Sequence, residues 1–241
     1  MSRHVVLVLI VVLGVIACDR KQQSHSSAAS ATGVVLIKGP SGEDWIAGRN
    51  FALIKQPSTT RSETRSVRVV EFFWYECSHC YRLEPHVVLW NRLRKPPSVE
   101  FERVPATWRG SQLSHARLFY TLKELDRQDL DREVFDAIQR LGEPLYDSNN
   151  KRAFELQMAF AARHGIDGID FRRVYYSAAV DGDLRRAADL AREYRVQIVP
   201  TLVVAGTYEL DLGKTNGNEY QLFDIADSLV AQEIRLSQAG R

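Results

Sequence analysis

Cysteine is scarce in this chain, which has three cysteines among 241 residues. Three are too few for a scaffold held by several disulfides or for a zinc site with four cysteine ligands. They suffice for one redox pair with one cysteine left over. A charge of one sign is also lacking, because 32 basic residues face 30 acidic ones. This balance argues against nucleic acid as a partner and against electrostatic binding to a membrane surface.

Long hydrophobic runs are lacking as well. The apolar run Val5–Ile16 has 12 residues and is interrupted only by Gly14. A helix that crosses a bilayer needs about 20 apolar residues, so this run is too short for a stable anchor. Its place behind the basic residue Arg3 predicts a signal peptide over residues 1–17. A buried strand or helix is the structural alternative.

The predicted signal ends in Val15-Ile16-Ala17-Cys18, which resembles the signal of bacterial lipoproteins. In those proteins, cleavage before the cysteine leaves it as the lipid-bearing N-terminus. The resemblance implies lipidation of Cys18, and Asp19 after it implies retention in the inner membrane. Cleavage by an ordinary signal peptidase at Ala29-Ser30-Ala31 is the alternative. The stretch 18–33 is rich in Gln, Ser and Ala and predicts a lipidated flexible tether.

The body of the chain begins with strand and helix patterns in alternation. β-branched and aromatic residues predict a central strand buried on both faces over Val67–Trp74. A helix is expected from Cys77 to Leu93, ending before Pro96 and kinked at Pro85. The remaining strand predictions are Val99–Val104 and, more weakly, Val34–Ile37 and Phe51–Ile54.

A long helical stretch is predicted next, because apolar residues recur at helical spacing over 114–194. Asp170 is a predicted N-cap within it. The pattern then returns to strand at Val196–Val204, with Pro200 inside, and Gly206 turns the chain into a hairpin. A final amphipathic helix is predicted over Glu219–Leu236. The order of elements predicts an α/β fold with helices inserted in the middle.

Cys77-Ser78-His79-Cys80 stands where the predicted strand turns into a helix. A helix N-terminus presents unpaired N–H groups and a partial positive charge, so it stabilises a thiolate. We therefore predict a lowered pKa for Cys77, which attacks, and a shielded position for Cys80, which lies one turn on and closes a small disulfide ring. His79 between them favours the thiolate when protonated or by hydrogen bonding.

Other uses of the cysteine pair remain open at this point. Half of a zinc site is one, with His79 and His86 completing a four-ligand set, although His79 lies inside the cysteine loop. A c-type haem requires His directly after the second cysteine, where this chain has Tyr81. A structural disulfide is a third possibility, but so small a loop stabilises little. No metal and no cofactor beyond the redox disulfide is predicted.

One segment of the chain resembles the active-site segment of the DsbA family; it contains Phe72-Phe73, Cys77-Ser78-His79-Cys80-Tyr81 and Glu84. That family consists of periplasmic thiol:disulfide oxidoreductases, and the resemblance spans about residues 45–236. It implies a thioredoxin-like domain over 34–112 and 195–241, with an inserted helical domain over 113–194.

The family's cis-proline loop matches Val199-Pro200-Thr201, where the exposed Val199 backbone would pair with substrate and Ser78 would lie beside it. An ordinary trans proline at a strand start is the alternative. Glu71, six residues before Cys77, matches the acid that the family carries beneath its cysteines. Burial should raise its pKa, and it would accept the proton of Cys80. The alternative is a glutamate that reaches solvent from a strand edge.

Two residues depart from the family pattern. Ser78 replaces the proline of its best-known members, and Glu76 puts a negative charge before Cys77. If the Glu76 side chain points inward, it should oppose the thiolate. We therefore expect the pKa of Cys77 to lie between the limits of about 3.5 and about 7 known for such motifs, with a potential less oxidising than the strongest oxidants.

The leading functional hypothesis is a monomeric, membrane-tethered periplasmic oxidase of exported proteins with free thiols. The resemblance implies reoxidation by a quinone-linked membrane oxidase. A reductase or isomerase using the same site is the second hypothesis, although residues 20–66 are too short and polar for the usual dimerisation domain of isomerases. A non-redox lipoprotein scaffold is the third.

Overall fold

The computed structural model describes residues 35–39, 42–55, 66–108 and 110–239. The predicted signal peptide, Cys18 and the tether lie outside these residues. Within the described ranges, no helix combines the length and the apolar character needed to cross a membrane.

The strands of the described residues are β1 (Leu36–Lys38), β2 (Asp44–Ile46), β3 (Ala52–Leu53), β4 (Val67–Phe73), β5 (Val99–Pro105), β6 (Thr201–Val204) and β7 (Tyr208–Asp211). Strands β3 to β7 form the main sheet in the order β3-β7-β6-β4-β5, in which β4 and β5 are parallel and the other neighbours are antiparallel. Strands β1 and β2 form a separate antiparallel pair that precedes this sheet in the chain. The sequence predicted all of these strands except β2, whose three residues are too few to show a periodicity.

Helices cover both faces of the sheet. They are α1 (Ser78–Leu89), α2 (Ser111–Glu124), α3 (Asp131–Gln139), α4 (Asn150–Arg163), α5 (Gly168–Tyr175), α6 (Ala178–Glu193) and α7 (Glu219–Ala239). Helices α2 to α6 lie between β5 and β6, which confirms the predicted insertion. Its division from the rest as a separate domain stays a prediction. Helix α1 runs through Pro85, and its irregular turn comes later, where Trp90–Arg94 forms a π-helix.

Two local predictions are wrong. Residues Val196–Val199 form a loop rather than a strand, and β6 begins only after Pro200. Asp167, not Asp170, caps α5, because Asp167 has extended backbone and its side chain accepts hydrogen bonds from the N–H groups of Ile169 and Asp170. Asp170 is already inside the first turn.

Strand β4 is buried on both faces, as its sequence predicts. Val70 and Phe72 belong to the core shared with the inserted helices. Val67 and Val69 belong to a second core, shared with α1 and α7. Because β4 lies between two cores, the chain that leaves its end is held firmly where the cysteine motif begins.

Candidate active site

The cysteine motif begins directly after β4. Cys77 has extended backbone and is the N-cap of α1, so its sulfur lies at the start of the helix. Its N–H donates to the Trp74 carbonyl over 3.0 Å, and its own carbonyl accepts from Tyr81 N–H over 3.0 Å. No side chain caps the helix at this residue. The first-turn N–H groups therefore stay free to stabilise a negative charge on the sulfur.

The two cysteines, both free thiols here, have opposite environments. Cys77 is half-buried, whereas Cys80 is 1% exposed. The pKa of Cys77 falls to about 6, mainly because the Cys80 thiol donates a hydrogen bond to its sulfur; burial opposes the shift. Backbone N–H groups of Cys80 and His79, and then the charge of His79, lower it further. Burial and the neighbouring Cys77 raise the pKa of Cys80 well above its ordinary value. One thiol is thus ready to react, and the other is held protonated.

The remaining side chains of the motif point to solvent. Ser78 and His79 are exposed, and Arg82 donates to His79 Nδ1 over 2.7 Å. Glu76 is exposed too, so the inward orientation that would oppose the thiolate is not found. His86 packs against the Tyr220 ring of α7 at 4.3 Å between ring centroids. The two histidines of the alternative zinc set therefore have separate partners.

The loop before β6 faces the reactive sulfur. The Val199–Pro200 peptide bond is cis, as predicted. Cys77 Sγ lies 3.5 Å from the Val199 carbonyl oxygen. Thr201 is buried, and its hydroxyl donates to the Ile198 carbonyl over 2.9 Å. Its side chain thus shapes the loop from within, whereas the Val199 backbone borders the sulfur.

Beneath the cysteines, Glu71 is completely buried, as its place in an apolar strand predicts. Parallel pairing of β4 and β5 sets Glu71 directly beside Arg103. Arg103 Nε donates to Glu71 Oε2 over 2.8 Å. Burial raises the pKa of Glu71 to about 7, although the charge of Arg103 lowers it in part. The charge of Glu71 adds to burial and to Cys77 in raising the pKa of Cys80, so Glu71 acts on the buried thiol electrostatically.

Arg103 binds two further carboxylates, which the sequence did not predict as a group. It donates to Glu84 of α1 over 2.6 and 3.3 Å and to Asp131 of α3 over 3.1 Å. Arg103 was identifiable as a charge inside a predicted strand. Asp131 carried no signal, because only the packing of the inserted helices brings it to β5.

The loop that carries Cys77 is fixed by the same helices. The Tyr75 hydroxyl donates to Asp131 over 2.5 Å, and the Gln139 amide donates to the Tyr75 carbonyl over 2.8 Å. Trp74 Nε1 donates over 3.2 Å to His115, whose other ring nitrogen donates to the Pro144 carbonyl. These bonds preorganise the approach to the cysteine motif, and the residues that make them come from α2 and α3.

Comparisons with known proteins agree with this geometry. A family model described as a DSBA-like thioredoxin domain matches residues 88–221, a segment that starts after the two cysteines. Thiol:disulfide interchange protein DsbA of Pseudomonas aeruginosa is 36% identical over 193 residues, which cover 79% of this chain and 87% of that protein. The protein of that name from Azotobacter vinelandii is 39% identical over 169 residues, which cover 69% and 75%.

A crystal structure of Pseudomonas aeruginosa DsbA superposes with a TM-score of 0.73 at 33% identity, covering 80% of this chain and 97% of that one. The match spans nearly the whole of that structure. The chain therefore belongs to the DsbA family and is a thiol:disulfide oxidoreductase with a thioredoxin-like fold.

Proposed function

We propose that the protein oxidises pairs of thiols in exported proteins by exchange with a Cys77–Cys80 disulfide. The observation that carries the proposal is the contrast between the two sulfurs: Cys77 is accessible with a pKa of about 6, and Cys80 is buried with a raised pKa. Stabilising the Cys77 thiolate favours the reduced enzyme, and a disulfide whose reduced form is stabilised is an oxidant.

The reaction begins when a substrate thiolate attacks Cys77 of the disulfide. A bond forms between the substrate sulfur and Cys77 Sγ, and the electron pair of the broken bond stays on Cys80 Sγ. Glu71 supplies the proton that Cys80 needs, since a carboxyl with a pKa of about 7 gives and takes a proton readily near neutral pH.

A second substrate thiolate then attacks the substrate sulfur of the mixed disulfide. The Cys77 thiolate leaves, and its low pKa makes it a good leaving group. The substrate has lost two electrons, and its two thiol protons have passed to the solvent. The enzyme holds the Cys77 thiolate and the Cys80 thiol, and Glu71 regains its proton from the solvent. An extended substrate segment would lie along the Val199 backbone, beside Pro200, Thr201 and the exposed Ser78.

The enzyme must then be reoxidised. We propose a quinone-linked membrane oxidase as the electron acceptor, and a periplasmic monomer tethered to the inner membrane through lipidated Cys18. The signal pattern Val15-Ile16-Ala17-Cys18 supports export and lipidation. Mass spectrometry of the mature N-terminus tests the tether, because a diacylated Cys18 is expected there and an N-terminus near residue 32 would exclude it.

The redox potential of the cysteine pair tests the direction of the reaction. Equilibration with glutathione should give a potential between about −120 and about −200 mV, the range of disulfide oxidants. A potential near about −270 mV, as in thioredoxin, would make the protein a reductase. The pKa of about 6 for Cys77 is the observation that keeps the reductase under consideration, because it lies closer to the thioredoxin value of about 7 than to about 3.5.

A Cys80→Ser variant provides the matched control. With a peptide whose two cysteines are joined in a disulfide, it should accumulate a mixed disulfide: the Cys77 thiolate attacks the peptide disulfide, one peptide sulfur leaves as a thiolate, and Cys80 is absent to resolve the product. Cys77→Ser should form none. If mild reductant leaves the wild-type pair oxidised, the cysteines are structural, and both redox hypotheses are wrong.

A further inference from the structure

Three carboxylates surround one largely buried cation beneath the cysteines. The groups that face one another there are Arg103 of β5, Glu71 of β4, Glu84 and Cys80 of α1, Asp131 of α3, and Tyr75 of the loop before Cys77. Full ionisation would leave an excess negative charge in a buried site, which is costly. At least one carboxyl of this cluster therefore holds a proton near neutral pH.

The three carboxylates accept different numbers of hydrogen bonds. Both oxygens of Glu84 accept from Arg103. Both oxygens of Asp131 accept as well, one from Arg103 and one from Tyr75. Glu71 accepts through Oε2 only, and its buried Oε1 has no hydrogen-bond partner among the described residues. Glu71 is thus the carboxyl least satisfied as an anion and the natural holder of the proton.

We propose that Asp131 is a positioning residue for thiol–disulfide exchange: by occupying one nitrogen of Arg103, it keeps Glu71 as the carboxyl that holds the exchangeable proton beneath Cys80. This inference rests on the proposed function of Glu71. It gives the inserted helices a chemical task, because Asp131 is the first residue of α3. Tyr75 supports the task by donating to the second oxygen of Asp131.

The three carboxylates compete for one guanidinium. Arg103 lowers the pKa of Glu71, while the charges of Glu84 and Asp131 raise it. Removing the charge of Asp131 frees Arg103 to neutralise Glu71 and removes a repulsive neighbour. Both changes favour ionised Glu71. The proton would then be absent when Cys80 leaves as a thiolate.

Infrared titration of the reduced full-length protein tests the proposal, using the C=O stretch of a buried protonated carboxyl as the signal. Glu71→Gln should abolish the band and so assign it to Glu71. Asp131→Asn should lower its titration midpoint by about one pH unit or more. An unchanged or higher midpoint in Asp131→Asn, or a band lost in Asp131→Asn but kept in Glu71→Gln, would overturn the proposal.

Asp136→Asn is the matched control. Asp136 lies on the same helix and also accepts from a tyrosine hydroxyl, that of Tyr81 over 2.7 Å, but its ion-pair partners are Arg132 and Arg140. The titration midpoint of the Glu71 band in Asp136→Asn should equal that of the wild type. If Asp131→Asn does not fold, Tyr75→Phe replaces it. Asp131 then loses a donor and takes up part of the proton, so the Glu71 midpoint should fall, and an unchanged midpoint would count against the proposal.

Peptide oxidation by the same proteins separates this inference from the proposed function. A wild-type protein that does not oxidise dithiol peptides would contradict the proposed function, whatever the infrared midpoints are. If the wild type is active but the Glu71 midpoint is the same in wild type and Asp131→Asn, only the positioning role of Asp131 is contradicted.

Discussion

Strands β4 and β5 carry two clusters of charged side chains with opposite ratios of cations to carboxylates. Arg103 is one cation among three carboxylates, in a buried site. Glu102, its neighbour in β5, is one carboxylate between two cations, Arg68 and Arg186, near the surface. The two clusters lie on opposite faces, because successive side chains of a strand alternate. The same pair of strands thus holds a proton-binding cluster on one side and an ordinary ion-pair network on the other.

The pKa values of Glu71 and Glu102 show the effect of the ratio of cations to carboxylates in each cluster. Burial raises the pKa of both carboxyls before any partner acts. For Glu102, hydrogen bonds from Arg186 and Arg68 outweigh burial, so its pKa is lowered. For Glu71, a single shared guanidinium does not compensate, and the pKa stays near 7. The number of donors for each carboxylate, rather than burial alone, decides whether the group keeps its proton.

Replacing one cation in each cluster should separate the two clusters most strongly. Arg103→Met leaves three buried carboxylates without a cation and should lower the free energy of unfolding by about 3–5 kcal/mol. Arg68→Met removes one of two cations from a partly exposed carboxylate and should cost about 1 kcal/mol or less. Urea unfolding of the reduced proteins at pH 7.5 measures both. Equal losses would mean that burial does not distinguish the clusters.

The loss in Arg103→Met should also depend on pH. At pH 5 the buried carboxyls take up protons and no longer need the cation, so the variant should recover part of its stability relative to wild type. A loss that stays constant from pH 5 to pH 7.5 would point to lost packing instead, since the guanidinium also lies over the Phe73 ring at 4.4 Å.

The two carboxyls should give opposite slopes of stability against pH. Glu71 has a folded pKa of about 7, above its ordinary value of 4.5, so between these values the folded state binds more protons than the unfolded state. Wild-type stability should therefore fall as the pH rises through that window. Glu71→Gln removes this dependence and should gain about 2–3 kcal/mol on wild type from pH 4.5 to pH 8.

The contribution of Glu102 to stability changes with pH in the opposite direction. Its lowered pKa stabilises the folded state above the ordinary value of 4.5, and this contribution disappears as the pH falls through the folded pKa. Glu102→Gln should cost about 1 kcal/mol or less at neutral pH and less still in acid. Urea midpoints across the pH range compare the two variants. Parallel slopes would refute the assignment of opposite shifts.

The sequence predicted the parts of this picture that depend on nearby residues. The apolar neighbours of Glu71 were enough to predict its burial, and the strand-to-helix transition at Cys77 was enough to predict a lowered pKa. The main cause of that lowering was missed, because it is the hydrogen bond from the Cys80 thiol rather than the helix N-terminus or His79. Two aspartates three residues apart, Asp167 and Asp170, offered equal capping chemistry, and only backbone geometry separates them.

Contacts between distant segments could not be predicted in the same way. Arg103 and Asp131 are 28 residues apart, and Tyr75 and Asp131 are 56 apart. No periodicity records such pairs, since they depend on how α3 packs against the sheet. Parallel pairing of β4 with β5 was foreseeable in kind, but its register, which sets Glu71 beside Arg103, was not.

Charges beside Cys77 should show the smallest effects, because they are exposed to water. The charge of His79 makes the weakest of the five main contributions to the Cys77 pKa. His79→Gln removes that charge and keeps the backbone N–H, so it should raise the midpoint of a thiolate absorbance titration from about 6 by less than about one pH unit. Glu76→Gln should leave it unchanged, since Glu76 is exposed and not among those contributions. A lower midpoint in Glu76→Gln would mean that this surface carboxylate does oppose the Cys77 thiolate. Solvent would then screen charges at the rim of the site less well than it screens the partly exposed ion pairs of Glu102.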